Sequence, residues 1–114
     1  MKTVIARSFK SLETFLKKQS SLSKNLGLVP TMGSLHEGHL SLIKKSKSTT
    51  SCTIVSIFLN PIQFNNKSDF MKYPKQEKKD IELLKKYKVD LIFIPKITSV
   101  YPKNYSTYLH EVFF

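Results

Sequence analysis

Apolar residues along the 114-residue chain fall into two kinds of run. Three runs are short and continuous: Gly27-Leu28-Val29, Cys52 to Leu59 (CTIVSIFL) and Val89 to Pro95 (VDLIFIP). Such runs predict buried strands, and Cys52 to Leu59, without alternation, predicts a central parallel strand buried on both faces. Elsewhere apolar positions recur at helical spacing. Phe9, Leu12 and Leu16 predict a helix over about 9–19, with Ser8 as its N-cap. Leu35, His39, Leu42 and Ile43 stand at offsets of zero, four, seven and eight and predict a second helix from about Leu35. Ile81, Leu84 and Tyr87 share one face of a third over 75–88, with lysines opposite and Pro74 suited to its first turn. Residues 3–6 predict a short leading strand, and 106–114 alternate weakly, as another strand or a disordered end. Residues 26–95 therefore read β-α-β-loop-α-β, with right-handed crossovers expected. That is an α/β protein with one mononucleotide-binding half of a Rossmann-like parallel sheet.

Punctuation places the chemistry. Pro30 should end the first buried strand, since proline cannot donate to a ladder. Thr31-Met32-Gly33-Ser34 is small and turn-prone, with Gly33 free to take positive φ. Ser20 to Asn25 is a polar loop, and Ser48 to Ser51 reads as a linker. His36 and His39 open the second helix three residues apart, which puts both imidazoles on one side of its first turn. The same turn presents free backbone N–H groups and the positive end of the helix dipole, so a phosphate chain is the expected ligand. Gly38 leaves room for a flat ring such as a purine against the backbone. Zinc fits less well, because helical histidine ligands more often sit four apart and no third ligand is near. No nucleophile–base–acid set can be assembled. Asn60-Pro61 stops the central strand, and Gln63 follows at its carboxyl end, where open α/β sheets bind ligands. Its amide suits a hydroxy-carboxylate and equally suits a loop turn that bonds its own backbone.

Composition changes this picture little. The apolar fraction of 40% supplies a modest core for one small domain. No apolar run approaches the length of a membrane span, and the N-terminus lacks a signal-peptide centre, so a soluble cytoplasmic protein is expected. Lone Cys52 lies in an apolar run and reads as a small buried hydrophobe. The net charge of +11 comes from eighteen lysines and the single Arg7, spread over most segments. Base-reading proteins lean on arginine, so nucleic acid is set aside, whereas a positive field still draws anionic substrates such as ATP.

The segments P-T-M-G-S-L-H-E-G-H-L-S-L-I (30–43), S-I-F-L-N-P-I-Q-F-N (56–65), D-F-M-K-Y-P (69–74), V-D-L-I-F-I-P (89–95) and Y-P-K-N-Y-S-T-Y (101–108) together resemble pantothenate synthetase, the pantoate–β-alanine ligase family. H-x-G-H alone would name only the wider HIGH-motif nucleotidyltransferase superfamily; N-P-x-Q-F makes the resemblance specific. It implies that pantoate is adenylated by ATP, with magnesium on the phosphates, and that β-alanine then displaces AMP to give pantothenate. It implies that Met32, Gly33, Ser34, Leu35, His36, Glu37, Gly38 and His39 bind ATP, with His36 and His39 catalytic and His39 the proton donor. Gln63 would contact pantoate and β-alanine, with Asn60 and Pro30 in the same substrate-binding set. A homodimer is implied for the full-length family.

Departures from the family accompany this. Lys75 stands where arginine is usual, and Val100 where methionine is common. Family members run to well over twice this length. The Gly/Lys/Asp segment, the second pantoate glutamine, the serine-basic loop and the C-terminal lid domain have no counterpart in these residues. The expectation is an N-terminal part of the nucleotide-binding domain, with little or no ligase activity alone. The rival readings are another nucleotidyltransferase, an inactive remnant and a basic nucleic-acid-binding domain.

Overall fold

The structure, a computed structural model, describes residues 2–58 and 73–95. Leu59, Asn60, Gln63, Val100 and the weakly alternating 106–114 lie outside the described residues. The elements run β1 (Val4–Ala6), α1 (Phe9–Ser21), β2 (Leu26–Thr31), α2 (Glu37–Thr49), β3 (Cys52–Ile57), α3 (Tyr73–Lys86) and β4 (Leu91–Phe93). All strands pair in parallel, in the order β1-β4-β3-β2. The expected α/β parallel sheet is therefore present. Among the described residues no helix is long and apolar enough to cross a membrane.

Side-chain alternation divides the core between the two faces of the sheet. Val55, Ile57, Ile92 and Ile94 point to one face, where Val29, Ile43, Leu84 and Val89 complete a buried cluster. Cys52, Ile54, Leu91 and Phe93 point to the other, with Ala6 and the α1 residues Leu12, Phe15 and Leu16. The central strands β3 and β4 are thus almost wholly apolar because each face has its own core, as their unbroken runs predicted, whereas β2, also expected to be buried, lies at the sheet edge with Leu26 and Leu28 exposed. Burial pushes the Cys52 thiol above its usual value, Asp90 adds to this, and Lys24 opposes it. The buried Asp90 accepts the Thr53 N–H at 2.7 Å while its own N–H donates to the Thr53 carbonyl at 3.0 Å.

Several boundaries depart from the sequence reading, each for a local reason. Pro30 does not end its strand; it pairs opposite Ser56 inside β2. Asn25 and Thr31 accept amides from β3 and the residue after it, so the odd-numbered residues of β2 face β3 and the even-numbered ones face outward. β2 lies at the sheet edge, and the missing N–H of Pro30 points away from the ladder. α2 begins at Glu37, not Leu35, because His36 caps it. Leu42, expected on the inward face, is 55% exposed, while Leu40 and Ile43 pack on the core. Leu35 still reaches the core, from the turn. Half of the expected linker is helix, since α2 runs on to Thr49. α3 spans Tyr73–Lys86, two residues earlier than expected at each end. β4 is shorter than its apolar run, although Val89 and Ile94 on either side are buried.

Gly27 sets how closely α2 sits on the sheet. A Cβ there would overlap Ser46 Oγ and come within 3.1 Å of Ser46 Cβ. Ser46 Oγ bonds Thr53 Oγ1 at 2.8 Å and Thr50 Oγ1 at 3.2 Å, so it cannot yield without losing partners. Gly27→Ala should cost about 1–3 kcal/mol in urea unfolding, and Ser46→Ala in the same chain should recover part of it. Leu84→Ala should cost about 2–5 kcal/mol by the same measurement. The exposed Leu42→Ala should stay within about 0.5 kcal/mol of the parent.

Candidate functional site

The carboxyl ends of the parallel strands share one edge, and the turn from β2 to α2 lies there. Thr31, the last residue of β2, is buried and fixes the turn from both sides. Its hydroxyl donates to the Ser56 carbonyl at 3.0 Å and accepts the Gly33 N–H at 3.2 Å. Gly33 (φ 86°) and Ser34 (φ 51°) are both left-handed, which turns the chain sharply into α2. The glycine was expected to do this; the serine beside it was not.

Asp80 of α3, 2% exposed, holds the strained serine. Its Oδ2 accepts the Ser34 N–H at 2.8 Å, and its Oδ1 accepts the Leu35 N–H at 3.1 Å and the Gln76 side-chain amide at 3.2 Å. Sequence reasoning missed Asp80. The signal was there, because an acid stands on the inward stripe of α3, four residues before Leu84. An acid on that stripe needs partners, and the turn supplies them.

His36 and His39 are brought together as a reciprocal cap. His36 Nδ1 accepts the Gly38 N–H, and His39 Nδ1 accepts the His36 N–H, both at 3.1 Å. The ring centroids lie 4.1 Å apart with the planes tilted by 44°. This is a capping box built from imidazoles instead of the usual hydroxyl and carboxylate. It has a chemical consequence. An imidazole whose Nδ1 accepts a hydrogen bond carries its neutral-form proton on Nε2. Both rings therefore turn an Nε2–H away from the cap.

The cap also changes the expected donor set. The helix start was read as offering free amides; those of His36 and Gly38 go to the imidazoles and those of Ser34 and Leu35, in the turn before it, to Asp80, which leaves the Glu37 amide of the first turn open among the described residues. Gly38 also makes room for the His36 ring, since a Cβ there would stand 3.0 Å from His36 Cε1. What the site presents is a pair of Nε2–H donors on the positive end of a helix, with the side chain of Met32, four residues earlier, 58% exposed. Glu37 and Gly38 are exposed, while Gly33 and Leu35 are half-buried. Pro30 is exposed at the same end of β2. Among the described residues no three His, Cys, Asp or Glu side chains gather as a metal centre.

Partial burial holds the His39 imidazole below its ordinary value, His36 adds to the lowering, and the Asp80 carboxylate opposes it. The neutral ring, with its proton on Nε2, is thus the favoured form.

The family model described as pantoate-beta-alanine ligase matches residues 4–113. A pantothenate synthetase of Pseudothermotoga lettingae is 53% identical over 88 residues, covering 77% of this chain and 31% of that protein. One from Fervidobacterium nodosum is 43% identical over 108 residues, covering 95% of this chain and 39% of its own. Among solved structures, the pantoate-beta-alanine ligase of Francisella tularensis, complexed with β-γ ATP and β-alanine, superposes with a TM-score of 0.70 at 46% identity. That match covers 89% of this chain and 38% of the ligase. The pantothenate synthetase of Thermus thermophilus gives 0.70 at 34% identity over 92% of this chain and 36% of its own. The chain thus spans between 31% and 39% of the length of these relatives.

A proton titration of the His39 Cε1–H by NMR should give a pKa below 6.5, and His36→Asn, which keeps a capping side chain, should raise it. A lowered value means that the unfolded chain binds the proton more tightly than the native one. The linked stability is fully present above pH 6.5 and is lost as pH falls through the native value.

Proposed function

This chain belongs to the pantoate-beta-alanine ligase family, and we propose that it forms the nucleotide-gripping part of an enzyme that condenses pantoate with β-alanine. In the first step a pantoate carboxylate oxygen attacks the α-phosphorus of ATP and pyrophosphate leaves. In the second the β-alanine amine attacks the acyl carbon of pantoyl adenylate, AMP leaves, the amine loses a proton and pantothenate is formed. The observation that carries this reading is the imidazole cap, which presents two Nε2–H donors at a helix N-terminus on the carboxyl edge of a parallel sheet.

The chemistry asks for such an arrangement. Negative charge grows on the phosphate oxygens as the pentavalent transition state forms. Donors already oriented toward it lower the barrier without reorganising. His36 and His39 would grip the phosphates; the neutral His39 ring would hold its Nε2–H against the departing pyrophosphate as a hydrogen-bond donor, and the proton-donor role implied by the resemblance would fall to its imidazolium form. Met32, Gly33, Ser34, Leu35, Glu37 and Gly38 would line the nucleotide as the rest of the matching segment. Gln63, with Asn60 and Pro30, would orient pantoate for in-line attack and then receive β-alanine. Both carboxylate oxygens of Asp80 are engaged with the turn, and one also with Gln76, so magnesium is assigned to the phosphates, arriving as part of the nucleotide substrate. Assembly as a homodimer and a cytoplasmic setting complete the proposal.

Residues 1–114 match only 31% to 39% of the relatives' length, so these residues tested by themselves should bind ATP yet form little or no pantothenate. In a two-dimensional amide NMR titration, magnesium–ATP should perturb Met32 to His39 first. Replacing either histidine by alanine should weaken the apparent affinity by roughly tenfold, about one charge-assisted hydrogen bond. Perturbations confined to scattered lysines, or pantothenate formation by the chain alone at rates typical of a complete ligase, would overturn the reading.

A further inference from the structure

The turn that carries His36 is not held by its own helix. Its two amides before the cap, those of Ser34 and Leu35, converge on a carboxylate from helix α3, and Leu35 and Asp80 stand 45 residues apart. Successive N–H groups leaving a left-handed turn form a concavity that suits an anion. Here Asp80 fills it, nearly excluded from solvent, with Gln76 donating to the same oxygen that accepts Leu35. The peptide that follows Leu35 is the one whose N–H donates to His39 Nδ1. Rotation of the Ser34–Leu35 segment would swing that N–H off the His39 ring and shift the His36 backbone that carries the other ring.

We propose that Asp80 is a positioning residue: by clamping the Ser34 and Leu35 amides it locks the imidazole cap and aims both Nε2–H groups at the nucleotide. The inference rests on the ATP-binding reading above for its purpose, but not for its mechanism. Helix α3 packs on the same core cluster as α2 through Leu84, Ile81 and the adjoining Tyr87, so the clamp ties the site to the sheet's most buried layer. Asp80 also faces His39 electrostatically and opposes the lowering of its pKa. The carboxylate therefore works on the ring pair through geometry and through charge.

The test compares the parent chain with Asp80→Asn and Asp80→Glu. Asparagine keeps one acceptor oxygen and loses the charge; glutamate keeps the charge and displaces the fork by a methylene. In Asp80→Asn, exchange of the Ser34 and Leu35 amides should quicken about tenfold, the scale of one lost hydrogen bond. The Val55 and Ile92 amides should exchange at the parent rate, the His39 pKa should fall further, and ATP should bind roughly tenfold more weakly, again one hydrogen bond. In Asp80→Glu the His39 pKa should stay near the parent value while the two amides still open. Parent-like exchange, titration and ATP affinity in Asp80→Asn would overturn the proposal, and so would equal loosening of Val55 and Ile92, the mark of a merely structural role. If Asp80→Asn does not fold, Gln76→Ala, which removes one donor to the carboxylate, should show the same pattern in weaker form; its absence there also overturns it. A parent chain that fails to bind ATP would sink the nucleotide reading alone, because exchange and titration still report on the clamp.

Discussion

Two hydrogen bonds to imidazole nitrogens organise the site: Gly38 N–H to His36 Nδ1 and His36 N–H to His39 Nδ1. Each satisfies a backbone donor that the first turn of α2 would otherwise leave without an intrahelical partner. Each also decides where the ring's proton sits. Helix capping and ligand-facing chemistry are therefore one arrangement, since the nitrogen that stabilises the helix fixes the protonation of the nitrogen that faces outward. A serine or asparagine could cap this helix as well, but neither would leave a titratable donor on its far side.

That arrangement depends on packing at some distance from it. Gly27 lets α2 lie against β2 through Ser46, and Ser46 reaches Thr53 of β3. Leu40 and Ile43 seat the helix on the cluster that Leu84 and Ile92 complete. At its other end the turn is fastened by Thr31 to β3 and by Asp80 to α3. β2, β3 and α3 thus converge on residues 31 to 35, and the energy of the core keeps Ser34 in a conformation it would leave in isolation.

The lysines matter less to this than their number suggests. Lys47 Nζ donates to the Lys88 carbonyl at 2.8 Å, and Lys17 pairs with Glu13 within one helix. Such exposed contacts contribute little to stability. Their collective field remains suited to attracting a polyanionic substrate.

Periodicity and punctuation made the strands, the helices and the histidine pair legible, because burial on two faces and helical spacing are local patterns. Cys52 to Ile57 had to be a central strand once no position in it carried a charge or a large polar group, and Ser8 was suited to cap α1. Other features depended on neighbours the local sequence does not contain. Pro30 could stay in its strand only because β2 lies at the sheet edge, and edge position is set by strand order. Leu42 faces solvent because α2 seats Leu40 and Ile43 on the core, a choice of face that packing makes. Asp80 stood on the inward stripe of its helix, but which groups would meet it was settled only when the fold set it beside two amides, the nearer in sequence 45 residues away. The chain by itself determined which segments form elements and which residues bear the chemistry. Tertiary structure alone decided what holds the turn that carries the imidazole cap, because the Ser34 and Leu35 amides meet Asp80 only once α3 has packed on the sheet, whereas the cap's own hydrogen bonds join residues two and three apart.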